Sequence, residues 1–229
     1  MIYTLTKQNE WRKRYMWKKL ENLKKIDETG IVLIIRLDDE QEVIKVADAA
    51  IEGGIKVLEI PMAVPNALGI IKELSKKYKD EGIVIGAGTV CEAETARAAI
   101  LAGASLLVSP QLNTEMIKMA NSYQVITASG AYTPTEFFAT MEAGADIIKL
   151  FPTDYVGPAY VKSIKAPLEQ APIMPSGGVT PENVKEWFEA GVACVAVGSF
   201  ITKAAQKDGN YTKVTEAAKQ FLQIVKECR

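Results

Sequence analysis

The feature that most constrains this chain is a regular alternation of short apolar segments with amphipathic ones, running from about Ile31 to the C-terminus. The short segments are IVLIIR (31–36), IKVLEI (55–60), IVIGAG (83–88), SLLVSP (105–110), QVITAS (124–129), DIIKLF (146–151), PIMPSG (172–177) and ACVAVG (193–198). They are rich in valine and isoleucine, with apolar residues on consecutive positions. That is the pattern of parallel strands covered on both faces. Between them lie stretches with helical periodicity, such as DEQEVIKVADAAIEGG and NTEMIKMANSYQ. Helix starts are marked at Thr133-Pro134-Thr135-Glu136 and Thr180-Pro181-Glu182-Asn183, where a capping hydroxyl precedes proline at the first helical position. A glycine closes a helix just before a strand at Gly54, Gly103, Gly144 and Gly191. The intervals each accommodate two strand–helix units, so the pattern predicts eight strands in an α/β fold, a (β/α)8 TIM barrel.

The barrel is predicted over 31–229, with an extra N-terminal helix within 1–27. Trp11, Tyr15, Met16, Trp17 and Leu20 are expected to pack that helix under the barrel, leaving Arg12, Lys13, Arg14, Lys18 and Lys19 on its wet face. No long linker breaks the alternation, so one domain is expected over 1–229. Tyr211 to Cys228 reads as the closing helix.

In such a barrel the active site forms at the C-terminal ends of the strands. The polar residues there are Arg36, Glu59, Thr89, Ser109, Ser129, Lys149, Ser176 and Ser199. Lys149 stands out because it interrupts the apolar run Ile147-Ile148-Lys149-Leu150-Phe151. A buried ammonium is costly unless it is paired or gives up its proton. A neutral lysine is an amine nucleophile that forms Schiff bases with carbonyl compounds. Glu59 is the matching anomaly, a carboxylate within Val57-Leu58-Glu59-Ile60. Strands 2 and 6 lie opposite one another in an eight-strand ring, so the two side chains are expected to meet near the axis. They would meet either as a structural ion pair or as an amine with its proton carrier.

A third group lies after strands 7 and 8, the usual phosphate site of phosphate-using barrels. Ser176-Gly177-Gly178 and Gly198-Ser199 supply hydroxyls, flexible backbone and amide donors for an anion. Thr89, closing Gly86-Ala87-Gly88-Thr89, is a candidate donor to a substrate carboxylate. Arg36 is a second anion-binding candidate.

Composition removes rival chemistries. The chain has no histidine, which excludes Ser-His triads, Cys-His dyads and metal cages built on imidazole. Proton transfer falls to carboxylates, lysine, tyrosine or water. A net charge of −1 gives no general attraction to nucleic acid or anionic membrane. No apolar run approaches a membrane span, and the charged N-terminus is not that of a secretory signal. The three widely spaced cysteines, Cys91, Cys194 and Cys228, fit reduced thiols in the cytoplasm. Cys91 and Cys194 are expected to pack as small apolar residues.

Together, GGIKVLEI, GAGTV, LLVSP, TPTE, IIKLFP, SGGV, WFEAGV and VGSFI, in that order from about Gly30 to Lys203, resemble the 2-keto-3-deoxy-6-phosphogluconate / 4-hydroxy-2-oxoglutarate aldolases. These are class I, Schiff-base-forming enzymes on a (β/α)8 barrel. The resemblance implies that Lys149 forms the imine and that Glu59 moves protons. It implies that Thr89 binds the substrate carboxylate, with Arg36, Pro110 and Phe151 completing that pocket, and that Ser176, Gly177, Gly178, Gly198 and Ser199 bind phosphate. It further implies a small 2-keto acid (phosphate) substrate, no metal or other cofactor, and a homotrimer. The segment Glu59-Ile60-Pro61-Met62-Ala63 departs from the family's usual E-[VI]-T-x-[RT], so two hydrogen-bonding groups near the substrate are replaced by Pro61 and Ala63. The alternatives are a sugar-phosphate isomerase or epimerase using Lys149 and Glu59 as acid and base, or a non-catalytic barrel that binds sugar phosphates.

Overall fold

The structure, a computed structural model, describes residues 17–229. Its strands and helices follow one another as α1 (Lys18–Thr29), β1 (Ile31–Ile34), α2 (Glu40–Glu52), β2 (Val57–Pro61), α3 (Ala67–Lys77), β3 (Val84–Gly88), α4 (Ala93–Ala102), β4 (Leu106–Val108) and α5 (Thr114–Tyr123). The second half continues with β5 (Ile126–Ala131), α6 (Pro134–Glu142), β6 (Ile147–Leu150), α7 (Pro158–Lys165), β7 (Ile173–Pro175), α8 (Val184–Glu189), β8 (Val195–Val197), α9 (Ser199–Thr202) and α10 (Thr212–Cys228). All strand pairings are parallel, in the order β7-β6-β5-β4-β3-β2-β1-β8. A single parallel bridge between Ser176 and Ala196 draws β7 against β8. The result is a nearly closed (β/α)8 barrel. Each strand falls inside or within two residues of its predicted segment, and the four helix-ending glycines have positive φ.

Strand alternation sorts the core into two layers. Val32, Val57, Val84, Leu106, Ile126, Ile147, Met174 and Ala196, one from each strand, form a cluster that is the barrel interior. The intervening positions pack outward into the larger layer beneath the helices. The inward phase continues along β2 from Val57 to Glu59, along β3 from Val84 to Gly88, and along β6 from Ile147 to Lys149. Side-chain alternation thus delivers Glu59 and Lys149 to the axis above a floor of branched aliphatic residues.

The N-terminal helix differs in detail from the sequence expectation. It runs to Thr29 rather than 27, and Trp11, Tyr15 and Met16 lie outside the described residues. Trp17 and Leu20 are exposed. Ile26 and Leu23, one helical turn apart, join the interior cluster and cover the foot of the barrel instead. Lys19 is not on a wet face either. It pairs with Asp146 at 2.9 Å and donates to Asn121 at 2.9 Å, and Asp146 also accepts from Thr127 N and Oγ1. The helix is therefore anchored to the start of β6. Cys194 is buried in the interior, its thiol pushed up to about 12 by desolvation. Cys91 is exposed, contrary to the packing expected of it. Among the described residues no helix is long and apolar enough to cross a membrane.

The two expected helix starts behave differently. Thr133 caps α6 in a full capping box: Glu136 N donates to Thr133 Oγ1 and the Glu136 carboxylate accepts from Thr133 N at 2.8 Å. Thr180 does not cap a helix. Residues 180–183 form a turn closed by Thr180 N on Asn183 Oδ1, and α8 begins at Val184. At α6, the backbone N–H of Thr133, then its hydroxyl, hold the Glu136 carboxyl below its usual range. A carboxyl with a depressed folded-state pKa stabilises the fold above its unfolded value and loses that contribution as pH falls through the folded one. Thr133→Ala is expected to lower stability by about 1 kcal/mol near neutrality. The gap from the parent should narrow in acid as Glu136 protonates. Urea denaturation of both proteins across that range checks it.

Candidate active site

Lys149 is 6% exposed and flanked by fully buried Ile148 and Leu150. It is paired in register with Gly130 on β5 and Met174 on β7. Its Nζ lies 5.2 Å from the centroid of the Phe151 ring. Among the described residues it makes no ion pair within 4.0 Å. Glu59 is 1% exposed, and its buried Oε2 has no hydrogen-bond partner among the described residues. β2 and β6 are separated by three strands on either side of the ring, so the two groups face each other across the interior. They form no ion pair within 4.0 Å, so a structural salt bridge does not account for their burial. An unpartnered buried carboxyl oxygen is costly. An amine and a carboxyl held apart in this way can act on a carbonyl compound from two sides.

The wall beside Lys149 depends on a glycine inside a strand, a pattern that marks close backbone approach. A Cβ on Gly130 would lie 2.1 Å from Pro110 O and 2.5 Å from Gln111 N, so the Pro110–Gln111 chain rests directly on β5 next to the lysine. Ser109 and Ser129 pin that chain. Their hydroxyls are 3.1 Å apart, Ser109 donates to Gln111 O at 2.7 Å, and Asn113 N donates to Ser129 Oγ at 3.1 Å. Both serines are fully buried and spent on this network. Thr89, half-buried, follows β3 with φ 57, a left-handed backbone uncommon for a β-branched residue. Such outliers cluster at functional sites, and this one ends the strand's alternation directly beside Gly88.

A cleft of about 360 Å³ adjoins this centre. It brings together Arg36, Phe151, Ser176, Gly177, Gly178, Gly198 and Ser199. Lys149, Glu59, Thr89 and Pro110 do not line it; Phe151 reaches both regions. The sequence grouped Arg36 with the carboxylate pocket, whereas its position two residues beyond β1 puts it in the cleft with the glycine pair. Gly177 and Gly178 have φ of 114 and 64. Thr153 ties the loop after β6 to the loop after β7, its N–H donating to Ser176 O at 3.2 Å and its hydroxyl to Gly177 O.

Three contributors went unread in the sequence. Lys203, Thr180 and Thr202 also line the cleft. Lys203 was legible in principle, four residues after Ser199 and hence on the same side of a helical turn. Neither Arg36 nor Lys203 forms an ion pair among the described residues. Asp154 lies against the glycines, with Oδ2 2.7 Å from where a Gly177 Cβ would sit. The cleft is thus cationic with one carboxylate at its edge.

The sequence profile of the aldolase family described as "KDPG and KHG aldolase" matches residues 23–217. The 2-dehydro-3-deoxy-6-phosphogalactonate aldolase of Escherichia coli (strain K12) is 34% identical over 200 residues, 87% of this chain and 94% of that protein. The solved "Native KDPGal structure" superposes with a TM-score of 0.79 at 32% identity, covering 86% of this chain and 95% of its own. The KDPG aldolase of Legionella pneumophila, solved with pyruvate captured as a covalent carbinolamine, has a TM-score of 0.78 at 26% identity, covering 86% of this chain and 96% of its own. A profile match across nearly the whole barrel, with relatives of this similarity and coverage, means that the chain belongs to the KDPG and KHG aldolases, a family of lyases.

Proposed function

We propose that the protein is a class I aldolase that reversibly cleaves a 2-keto-3-deoxy-6-phospho sugar acid to pyruvate and glyceraldehyde 3-phosphate, with Lys149 as the imine-forming amine. The observation that carries the reading is the burial of Lys149 in an apolar strand with no ion pair among the described residues.

The amine attacks the C2 ketone to give a carbinolamine. Glu59, directly or through a water, protonates the departing hydroxide, and the iminium forms. The Glu59 carboxylate then takes the C4 hydroxyl proton as the C3–C4 bond breaks. C4 becomes the aldehyde, and the bonding pair passes through C3 into the iminium as an enamine. Protonation at C3 and hydrolysis release pyruvate and the free amine. The iminium is the electron sink, so the scheme uses no cofactor beyond the lysine. The carbinolamine captured in the Legionella relative supports the first step by kinship.

Arg36, Lys203, Ser176 and Ser199 around the glycine pair favour a phosphate at the far end of the substrate. Between the two C4 epimers we assign the galactonate form, because the Escherichia coli relative and the native KDPGal structure are both named for it. The family resemblance adds the expectation of a homotrimer, and the widely spaced cysteines that of a cytoplasmic protein.

Borohydride reduction in the presence of pyruvate, followed by peptide mapping, is expected to modify the peptide containing Lys149. A cleavage panel coupled to pyruvate detection is expected to rank the phosphogalactonate above the phosphogluconate, and both above unphosphorylated acids and 4-hydroxy-2-oxoglutarate. Turnover without a trappable adduct would point to acid–base isomerisation. Ligand-raised melting with no cleavage anywhere on the panel would point to a binding barrel.

A further inference from the structure

Gly88 closes β3, opposite Pro61 in the β2–β3 ladder. Its φ lies outside the left-handed region, unlike those of Gly177 and Gly178, so backbone freedom does not account for a glycine here. The space around it does. A Cβ built on Gly88 would lie 1.9 Å from Glu59 Oε1, 2.6 Å from Glu59 Cδ and 2.8 Å from Glu59 Cγ. The Glu59 carboxyl thus fills the volume that any side chain at position 88 needs. Among the described residues nothing donates a hydrogen bond to the buried Oε2, so a network of donors does not hold that oxygen in place.

We propose that Gly88 is a positioning residue of the reaction: its missing side chain is the seat that sets where the Glu59 carboxyl sits. The proposal rests on the reading of Glu59 as the proton carrier. Glu59 reaches the axis from β2, and the bare backbone of β3 lets its carboxyl lie flat against the barrel wall. A methyl group at position 88 forces the carboxyl out of that seat. Restoring an ordinary contact from 1.9 Å needs a displacement of more than about 1 Å, the scale of misplacement that costs on the order of 100-fold in rate. The lysine on β6, across the ring, is untouched by the change, so the amine itself is kept while the proton transfers that depend on Glu59 are slowed.

The test is a double-mutant cycle of Gly88→Ala and Glu59→Ala, read by kcat and KM for aldol cleavage and by Tm. In the parent, Gly88→Ala is expected to lower kcat about 100-fold, with KM within about threefold, the signature of an interaction lost in the transition state. In the Glu59→Ala background the obstructing carboxyl is gone. There the same substitution is expected to cost less than about threefold, with no loss of Tm, because the two residues act as a unit. Equal losses in both backgrounds, or an undisturbed kcat in Gly88→Ala, would overturn the proposal. If Gly88→Ala alone does not fold, a folded double variant matching Glu59→Ala upholds it, and a double variant that also fails to fold overturns it. Borohydride trapping on Lys149 of the parent reads the aldolase assignment independently. A missing adduct counts against that assignment, whereas additive losses with the adduct present count against Gly88 alone.

Discussion

Replacing Lys149 by methionine is expected to abolish carbon–carbon cleavage while leaving the barrel as stable as the parent or more so. Methionine approximates the volume of the lysine stem, and cores tolerate volume-conserving changes well. Lys149 sits in the middle of β6 and points into the barrel interior, while its neighbours Ile148 and Leu150 pack in the outer layer, so the substitution leaves that layer unchanged. The substitution removes a buried amine that has no ion pair to lose among the described residues. Exchanging such a group for an apolar one is neutral or stabilising. Turnover should fall by ~10⁴-fold or more, the scale of losing a covalent nucleophile. Lys149→Arg is the sharper companion, because arginine keeps a long nitrogen-bearing side chain but stays protonated and cannot form the imine. Both variants should lose the borohydride adduct together with cleavage, as read by pyruvate release, while thermal melting shows a folded protein. Retained cleavage in either variant would sink the imine mechanism. Activity lost while Tm holds or rises is the signature of a residue kept at the expense of stability.

The barrel and the two charges buried inside it were legible for the same reason. Parallel strands covered on both faces leave little freedom in the choice of side chain, so Ile147-Ile148-Leu150 and Val57-Leu58-Ile60 announce themselves, and so do the charges that interrupt them. What period and composition do not carry is contact. The same rule of alternation that sends Lys149 inward sends Ser109 and Ser129 outward, into the network that pins the Pro110–Gln111 chain. The sequence placed Ser109 and Ser129 among the polar strand-end residues without a role, and this distinction supplies it. Lys19 shows the other limit. Helical charge patterning assigns it to solvent, but Asp146, far along the chain, draws it in. Arg36, two residues beyond the end of β1, lines the cleft with the glycine pair, a grouping that its position in the sequence did not distinguish from the carboxylate pocket. Gly88 and Gly130 carry no local turn signal. Their roles appear only when a Cβ is set against Glu59 in one case and the Pro110 carbonyl in the other.

Glu59→Gln is the second change with a large expected effect, and it separates the two halves of the mechanism. Glutamine keeps the shape of the side chain, so it should rest in the Gly88 seat as the acid does. It can donate or accept a hydrogen bond but cannot carry a proton between substrate and water. Losing a positioned general acid–base lowers kcat by ~10²–10⁴-fold. The Lys149 amine is retained, so the pyruvate adduct should still form on its peptide, only more slowly, because loss of the carbinolamine hydroxide must find its proton elsewhere. A time course of borohydride trapping reads that step, and steady-state pyruvate release reads the full cycle. The fold has no reason to suffer, since among the described residues Glu59 Oε2 has no hydrogen-bond partner to lose and an amide is less costly to bury than a carboxylate. A kcat within about tenfold of the parent, below the range for a lost general acid–base, would remove Glu59 from the proton path. The search would then turn to ordered water or to the hydroxyl of Thr89. A lost adduct in a folded Glu59→Gln protein would instead make the carboxyl indispensable to the amine, and the two groups would have to be treated as one coupled unit.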